Sequence, residues 1–174
     1  MGATARRTIL IATDADEVLD EVDAALGDAD TTVVRVRTGR EVLPAVVEVE
    51  PDLVVLDLQI GNMGGVAASL ALRNEESFDR IPPQNVLILL DRAADVFVAR
   101  RGGADGWLVK PLNPLRLRRA ATAVLEGGSY TEGEPSETAA ADPVAEAAGS
   151  DDGAHDEAAA SDAAAPSTAE PASA

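Results

Sequence analysis

Cysteine is absent from all 174 residues, which removes disulfides and thiolate metal sites from consideration. Aromatic side chains are almost as scarce, with one Trp, one Tyr and two Phe, so a core has to be built from Val, Leu, Ile and Ala. The one histidine, His155, stands in a polar stretch without ligand partners and reads as a solvated spacer. No apolar run approaches the roughly 20 residues that span a bilayer, and Arg6-Arg7 precede only about five apolar residues, too few for a signal-peptide core. A soluble cytoplasmic protein without membrane contact is the expectation. Positive charge is short as well: 14 Lys plus Arg face 31 Asp plus Glu, a net charge of -17. Direct nucleic-acid binding is disfavoured, because the phosphate backbone rewards clustered positive charge.

The charge is unevenly spread. Arg119 is the last basic residue, and from Gly127 onward there are eleven acids, leaving six units of the net -17 to the rest of the chain. Beyond alanine, Tyr130 and Val144 are the only sizeable apolar side chains in 127–174. Such a segment cannot bury enough surface to offset the entropy of ordering it, so it reads as a disordered acidic tail rich in Ala, Pro and Ser. Residues 1–126 suit one domain.

Within that domain, Thr8–Ala12, Leu53–Leu56, Val86–Leu90 and Gly106–Val109 are short, β-rich apolar runs, with Thr32–Val36 a weaker fifth. Between them apolar residues recur at helical spacing: Val18, Leu19, Val22, Leu26; Val42, Leu43, Val46, Val47; Val66, Leu70; Val96, Val98, Ala99; and Leu115, Leu117, Ala121, Val124, Leu125. Continuous apolar strands imply burial on both faces. The expected fold is therefore α/β, a doubly wound five-stranded parallel sheet flanked by five helices.

Sheets of this kind place their sites at the carboxyl ends of the strands. The first strand runs into Thr13-Asp14-Ala15-Asp16, the third into Asp57, and the fifth ends at Lys110. Lys110 is the only lysine, so the chain keeps a compact ammonium there while every other cation is arginine. Acid, acid and ammonium on one sheet edge make a pocket for a divalent cation beside a nucleophilic carboxylate. Magnesium prefers oxygen ligands and retains waters, and Asp14, Asp57 and the carbonyl of Gln59 are the candidate protein ligands. Asp57 could instead cap a turn, Asp14 or Asp16 could cap the first helix, and Lys110 could simply reach solvent from a strand end. Arg100, Arg101, Arg116, Arg118 and Arg119 make the later helices basic, either as a solvated face or as a docking surface.

Ile9-Leu10-Ile11-Ala12-Thr13-Asp14, Pro51-Asp52-Leu53-Val54-Val55-Leu56-Asp57-Leu58 and Gly103-Ala104-Asp105-Gly106-Trp107-Leu108-Val109-Lys110-Pro111 together resemble the receiver domain of bacterial two-component response regulators. The resemblance covers about 8–126 and implies a flavodoxin-like receiver fold. It further implies that Asp57 is the phosphoacceptor, Asp14 a magnesium ligand, Lys110 the neutraliser of phosphoryl oxygens and Trp107 the aromatic switch. Thr13 stands where the family has a second acid, Leu90-Asp91 where it has Thr or Ser, Gly61 where it usually has proline, and Gly64 where it often has aspartate.

The function so implied is a stand-alone response regulator, phosphorylated by a histidine kinase or phosphotransfer protein with Mg2+, without an enzymatic output domain. Its output would be contact with a downstream protein through a face including Arg100, Arg101, Arg116 and Arg119, and a homodimer is left open. The alternative is a phosphorylation-independent pseudo-receiver adaptor. A metal-dependent phosphohydrolase fits less well, since Asp57-Leu58-Gln59 lacks a second acid two residues on.

Overall fold

In the computed structural model, which describes residues 6–132, the apolar runs form strands of one parallel sheet. In chain order the elements are β1 (Arg7–Ala12), α1 (Asp16–Leu26), β2 (Thr31–Val36), α2 (Val42–Val49), β3 (Leu53–Asp57), α3 (Gly65–Ser77), β4 (Val86–Leu90), α4 (Val96–Arg101), β5 (Gly106–Val109), α5 (Pro114–Leu125) and β6 (Tyr130–Thr131). The strand order is β2-β1-β3-β4-β5-β6, so the winding reverses between β1 and β3. Every residue of β3 and β4 is buried, as continuous apolar strands require.

Alternate side chains feed two cores. Leu10, Val54, Leu56, Ile88, Leu90 and Trp107 face α2, α3 and α4, where they meet Val42, Val46, Ala68, Leu72 and Ala99. Ile9, Ile11, Val55, Leu87, Leu89 and Leu108 face α1 and α5 and meet Val18, Val22, Leu117, Ala120 and Val124. A one-residue slip in any central strand would exchange these two sets, which fixes the register. α5 is started by Asn113, whose side chain accepts from the amides of Leu115 and Arg116, with Pro114 in its first turn. α4 departs from its expected pattern. Ala99 is buried, but Val98 and Phe97 are largely exposed.

The five expected strands and five helices are present, and β6 is an addition. Tyr130–Thr131 pairs in parallel with β5, inside the stretch assigned from composition to the tail. The domain therefore continues past residue 126, because β5 would otherwise present an unpaired edge and these residues satisfy it. The expectation of disorder for the rest of the tail, and His155 with it, lies outside the described residues. No helix among the described residues is long and apolar enough to cross a membrane.

Candidate functional site

The carboxyl ends of β1, β3, β4 and β5 bring Thr13, Asp57, Asp91 and Lys110 together. Asp57 ends β3 and is only 3% exposed. A carboxylate buried to that degree needs compensation for lost hydration, and Asp57 has it on both oxygens. Lys110 Nζ donates to Oδ1 at 2.7 Å, and the Gln59 amide donates to the same oxygen at 3.3 Å. Thr13 Oγ1 donates to Oδ2 at 2.9 Å. The Thr13 hydroxyl itself accepts from the Ala15 amide at 3.2 Å, which leaves its proton for Asp57. The two carboxylate oxygens thus sit in unlike surroundings, one facing an ammonium and the other a buried hydroxyl.

Lys110 also reaches Asp91 Oδ1 at 3.1 Å, so a single ammonium serves two carboxylates. Burial disfavours its charge, but the hydrogen bond and charge of Asp57, then those of Asp91, outweigh it and hold the Lys110 ammonium above the usual lysine range. The peptide bond from Lys110 to Pro111 is cis. Asp91, which follows Leu90 at the end of β4, is thus the second acceptor of the lysine.

Asp14 lies in the exposed loop after β1. Its Oδ2 faces Gly61, where an added methyl group would stand 3.7 Å away. Asp16 is not the cap of α1: Ala15 holds that position and makes no side-chain cap. The Asp16 carboxylate instead accepts from Arg35, and from Arg37 at 3.2 Å, and these guanidinium groups hold it below the usual carboxylate range, Arg35 foremost. Arg35 also donates to the Thr13 carbonyl at 2.9 Å, which pins the loop that carries Thr13 and Asp14. Below the site Gly65 packs so tightly that an added methyl group would lie 2.4 Å from the Asp57 carbonyl oxygen.

Among the described residues no three carboxylate, imidazole or thiol side chains converge on a metal position. The site still fits magnesium, which needs only one or two carboxylates and keeps several waters. Asp14, Asp57 and the Gln59 carbonyl are the residues that would hold it, and Thr13 brings a hydroxyl where a further carboxylate would add charge.

The expected switch residues lie in one core. Leu90 is fully buried and Trp107 is 3% exposed. Leu90 has no hydroxyl to offer a ligand above Asp57. Trp107 Nε1 donates away from the site, to the Glu132 carbonyl at 2.9 Å. Of the expected partner-face arginines, Arg100, Arg101 and Arg119 are exposed, and Arg101 lies over the Phe97 ring at 5.6 Å. Arg116 is partly buried: it donates to the Val109 carbonyl at 3.2 Å and pairs with Glu132. Glu132 was missed from the sequence. Its one signal was its place directly after Tyr130-Thr131, an aromatic and β-branched pair in a stretch whose only other sizeable apolar side chain beyond alanine is Val144.

Residues 9–122 match the family model described as the response regulator receiver domain. Over 109 residues the chain is 29% identical to the regulatory protein VanR of Enterococcus faecium, covering 63% of this chain and 46% of that protein. Over 135 residues it is 31% identical to the DNA-binding response regulator MtrA of Mycolicibacterium smegmatis, covering 77% of this chain and 56% of that one. The chain thus spans about half the length of the curated relatives it matches. Its fold overlays the chemotaxis response regulator CheY4 of Vibrio cholerae with a TM-score of 0.60 at 26% identity, over 69% of this chain and 99% of that chain. The signal receiver domain of NarL from Mycobacterium tuberculosis overlays with a TM-score of 0.62 over 71% of this chain and 98% of that chain, and at 24% identity shows the fold alone.

Proposed function

The chain belongs to the response regulator receiver domain family, and from that footing we propose that it accepts a phosphoryl group on Asp57 from a histidine kinase or phosphotransfer protein and signals through protein contacts. The observation that carries the proposal is the 2.7 Å approach of Lys110 Nζ to the buried Asp57 Oδ1. In the transfer, a phosphorus–nitrogen bond of phosphohistidine breaks, a bond from phosphorus to an Asp57 oxygen forms, and the imidazole leaves. The incoming charge must be screened. Lys110 is placed to follow it, exchanging its bond to the carboxylate for bonds to the phosphoryl oxygens while Asp91 holds it at the pocket mouth. Magnesium, held by Asp14, Asp57 and the Gln59 carbonyl, would supply further charge neutralisation.

In this reading Asp57 supplies phosphoacceptor chemistry and protein contact carries the output. The absence of a hydroxyl at Leu90 removes the donor that would tie a phosphoryl oxygen to Trp107, so Trp107 is expected to report on the site without being drawn to it.

A phosphorylation-independent adaptor is the second reading. It is favoured by the Thr13 hydroxyl bonded to Asp57 Oδ2 and by the competition of Asp91 for Lys110. Trp107 fluorescence separates the two. Magnesium followed by beryllofluoride should change the emission of the wild-type chain and leave that of Asp57→Asn untouched. Equal behaviour of the two chains would favour the adaptor.

A further inference from the structure

β6 makes more of its two residues than their number suggests. Its register places Gly106 opposite Tyr130 and Trp107 opposite Thr131. A methyl group at Gly106 would meet the Tyr130 carbonyl oxygen at 2.8 Å, so the approach depends on a bare backbone there. Where the ladder ends, Glu132 extends it with its side chain: the Val109 amide donates to Glu132 Oε2 at 3.0 Å. The other carboxylate oxygen pairs with the Arg116 guanidinium, and the Glu132 carbonyl accepts from the Trp107 indole. An edge amide, an indole N–H and a guanidinium on β5 and α5 therefore converge on one residue. That is the donor set that recognises an extended segment carrying a carboxylate, with main-chain pairing supplying affinity and side-chain pockets selectivity.

We propose that the outer edge of β5, with Trp107 and Arg116, is a strand-accepting site for an extended segment bearing a carboxylate, and that Tyr130–Glu132 occupies it in cis and closes it to the same segment in trans. Only residues 126–129 separate α5 from β6. A tether that short gives the cis strand an effective concentration on the order of millimolar. A partner strand therefore has to exceed that range, or carry better contacts, before it displaces the resident one. Arg116 is held by the same segment, so the arginine becomes available to a partner only when Glu132 leaves. The inference does not depend on phosphorylation of Asp57.

The test uses the full chain, wild type and Glu132→Lys, with a synthetic peptide of residues 129–136 and a control peptide that carries lysine in place of Glu132. Far-UV circular dichroism confirms that each variant is folded, and Glu132→Gln serves as a second, shape-conserving variant. In Glu132→Lys, acrylamide quenching of Trp107 should rise and the Val109 amide should exchange roughly tenfold faster, as loss of a charge-assisted hydrogen bond implies. The peptide should reverse both changes in Glu132→Lys, and the control peptide should not. The wild-type chain should respond only at peptide concentrations about tenfold or more above those that saturate the variant. Unchanged quenching and exchange in both variants, equal responses of wild type and Glu132→Lys to the peptide, or an equal effect of the control peptide would each overturn the proposal.

Discussion

Thr13 is the position at which this receiver departs most sharply from the metal-site pattern of its family, and Thr13→Asp measures the consequence. The hydroxyl is fully buried and donates to Asp57 Oδ2 at 2.9 Å. Replacing it with a carboxylate removes a hydrogen bond to a charged group, about 1.5–3 kcal/mol. It also sets a second negative charge beside the first. Two unit charges about 4 Å apart interact by about 4 kcal/mol at an effective dielectric of 20, and uptake of a proton by one of them limits the damage. A net cost of about 3–5 kcal/mol in the absence of metal follows from these contributions. Magnesium should reverse the balance, with the new carboxylate acting as a further ligand. The assay is urea unfolding near neutral pH, with a chelator and then with excess MgCl2. The stabilisation by magnesium should be larger in Thr13→Asp than in wild type by at least about 1.4 kcal/mol, a tenfold gain in affinity. Thr13→Val is the control: it loses the hydroxyl without adding charge, costs about 1–3 kcal/mol, and should show no gain in magnesium response. Equal stabilisation by magnesium in wild type and Thr13→Asp would show that residue 13 does not face the metal, and a Thr13→Asp chain as stable as wild type in chelator would show that the Thr13–Asp57 bond contributes nothing.

Lys110→Met leaves Asp57 and Asp91 without their shared cation. Breaking a buried pair costs about 3–5 kcal/mol, and because the lysine side chain is 21% exposed the expected loss is about 2–3 kcal/mol in urea unfolding. The folded-state pKa of Lys110 is raised, so its contribution is fully present below the unfolded value near 10.4 and disappears as pH rises through the folded value. The wild-type advantage over Lys110→Met should therefore be level from neutral pH to about 10.4 and shrink above it. Gly65→Ala drives a methyl group against the Asp57 carbonyl oxygen at 2.4 Å; it should cost about 1–3 kcal/mol and broaden the NMR signals of the loop after β3. Ending the chain after Gly128 removes β6 and the Glu132 contacts and should lower stability by about 1–3 kcal/mol; an unchanged unfolding midpoint would show that β6 contributes nothing.

The strands were legible because burial on both faces leaves a plain mark, an unbroken apolar run such as Leu53-Val54-Val55-Leu56. The site was legible because each run ended in a residue that its own strand did not need: Asp14, Asp57 and Lys110. What could not be read was how those residues are satisfied. Thr13 looked like a missing carboxylate, and only the structure shows its hydroxyl donating to Asp57. Nor does sequence order reveal that Lys110 reaches Asp91 as well as Asp57. Asp16 looked like a helix cap until Arg35 and Arg37, 19 and 21 residues further along the chain, on and just after β2, were seen to claim it. β6 escaped because composition averages over dozens of residues while the edge of β5 needs only two. Arg116 looked like part of a free surface for the same reason, since its partner Glu132 lay in the stretch set aside as tail.

The proposed signalling depends on phosphorylation of Asp57. Intact-protein mass spectrometry after incubation with a small-molecule phosphodonor and magnesium tests it most directly. Wild type should gain the mass of one phosphoryl group, labile as an acyl phosphate, and Asp57→Asn should gain none. An unmodified wild-type chain, or a gain that persists in Asp57→Asn, would mean that Asp57 is not the phosphoacceptor.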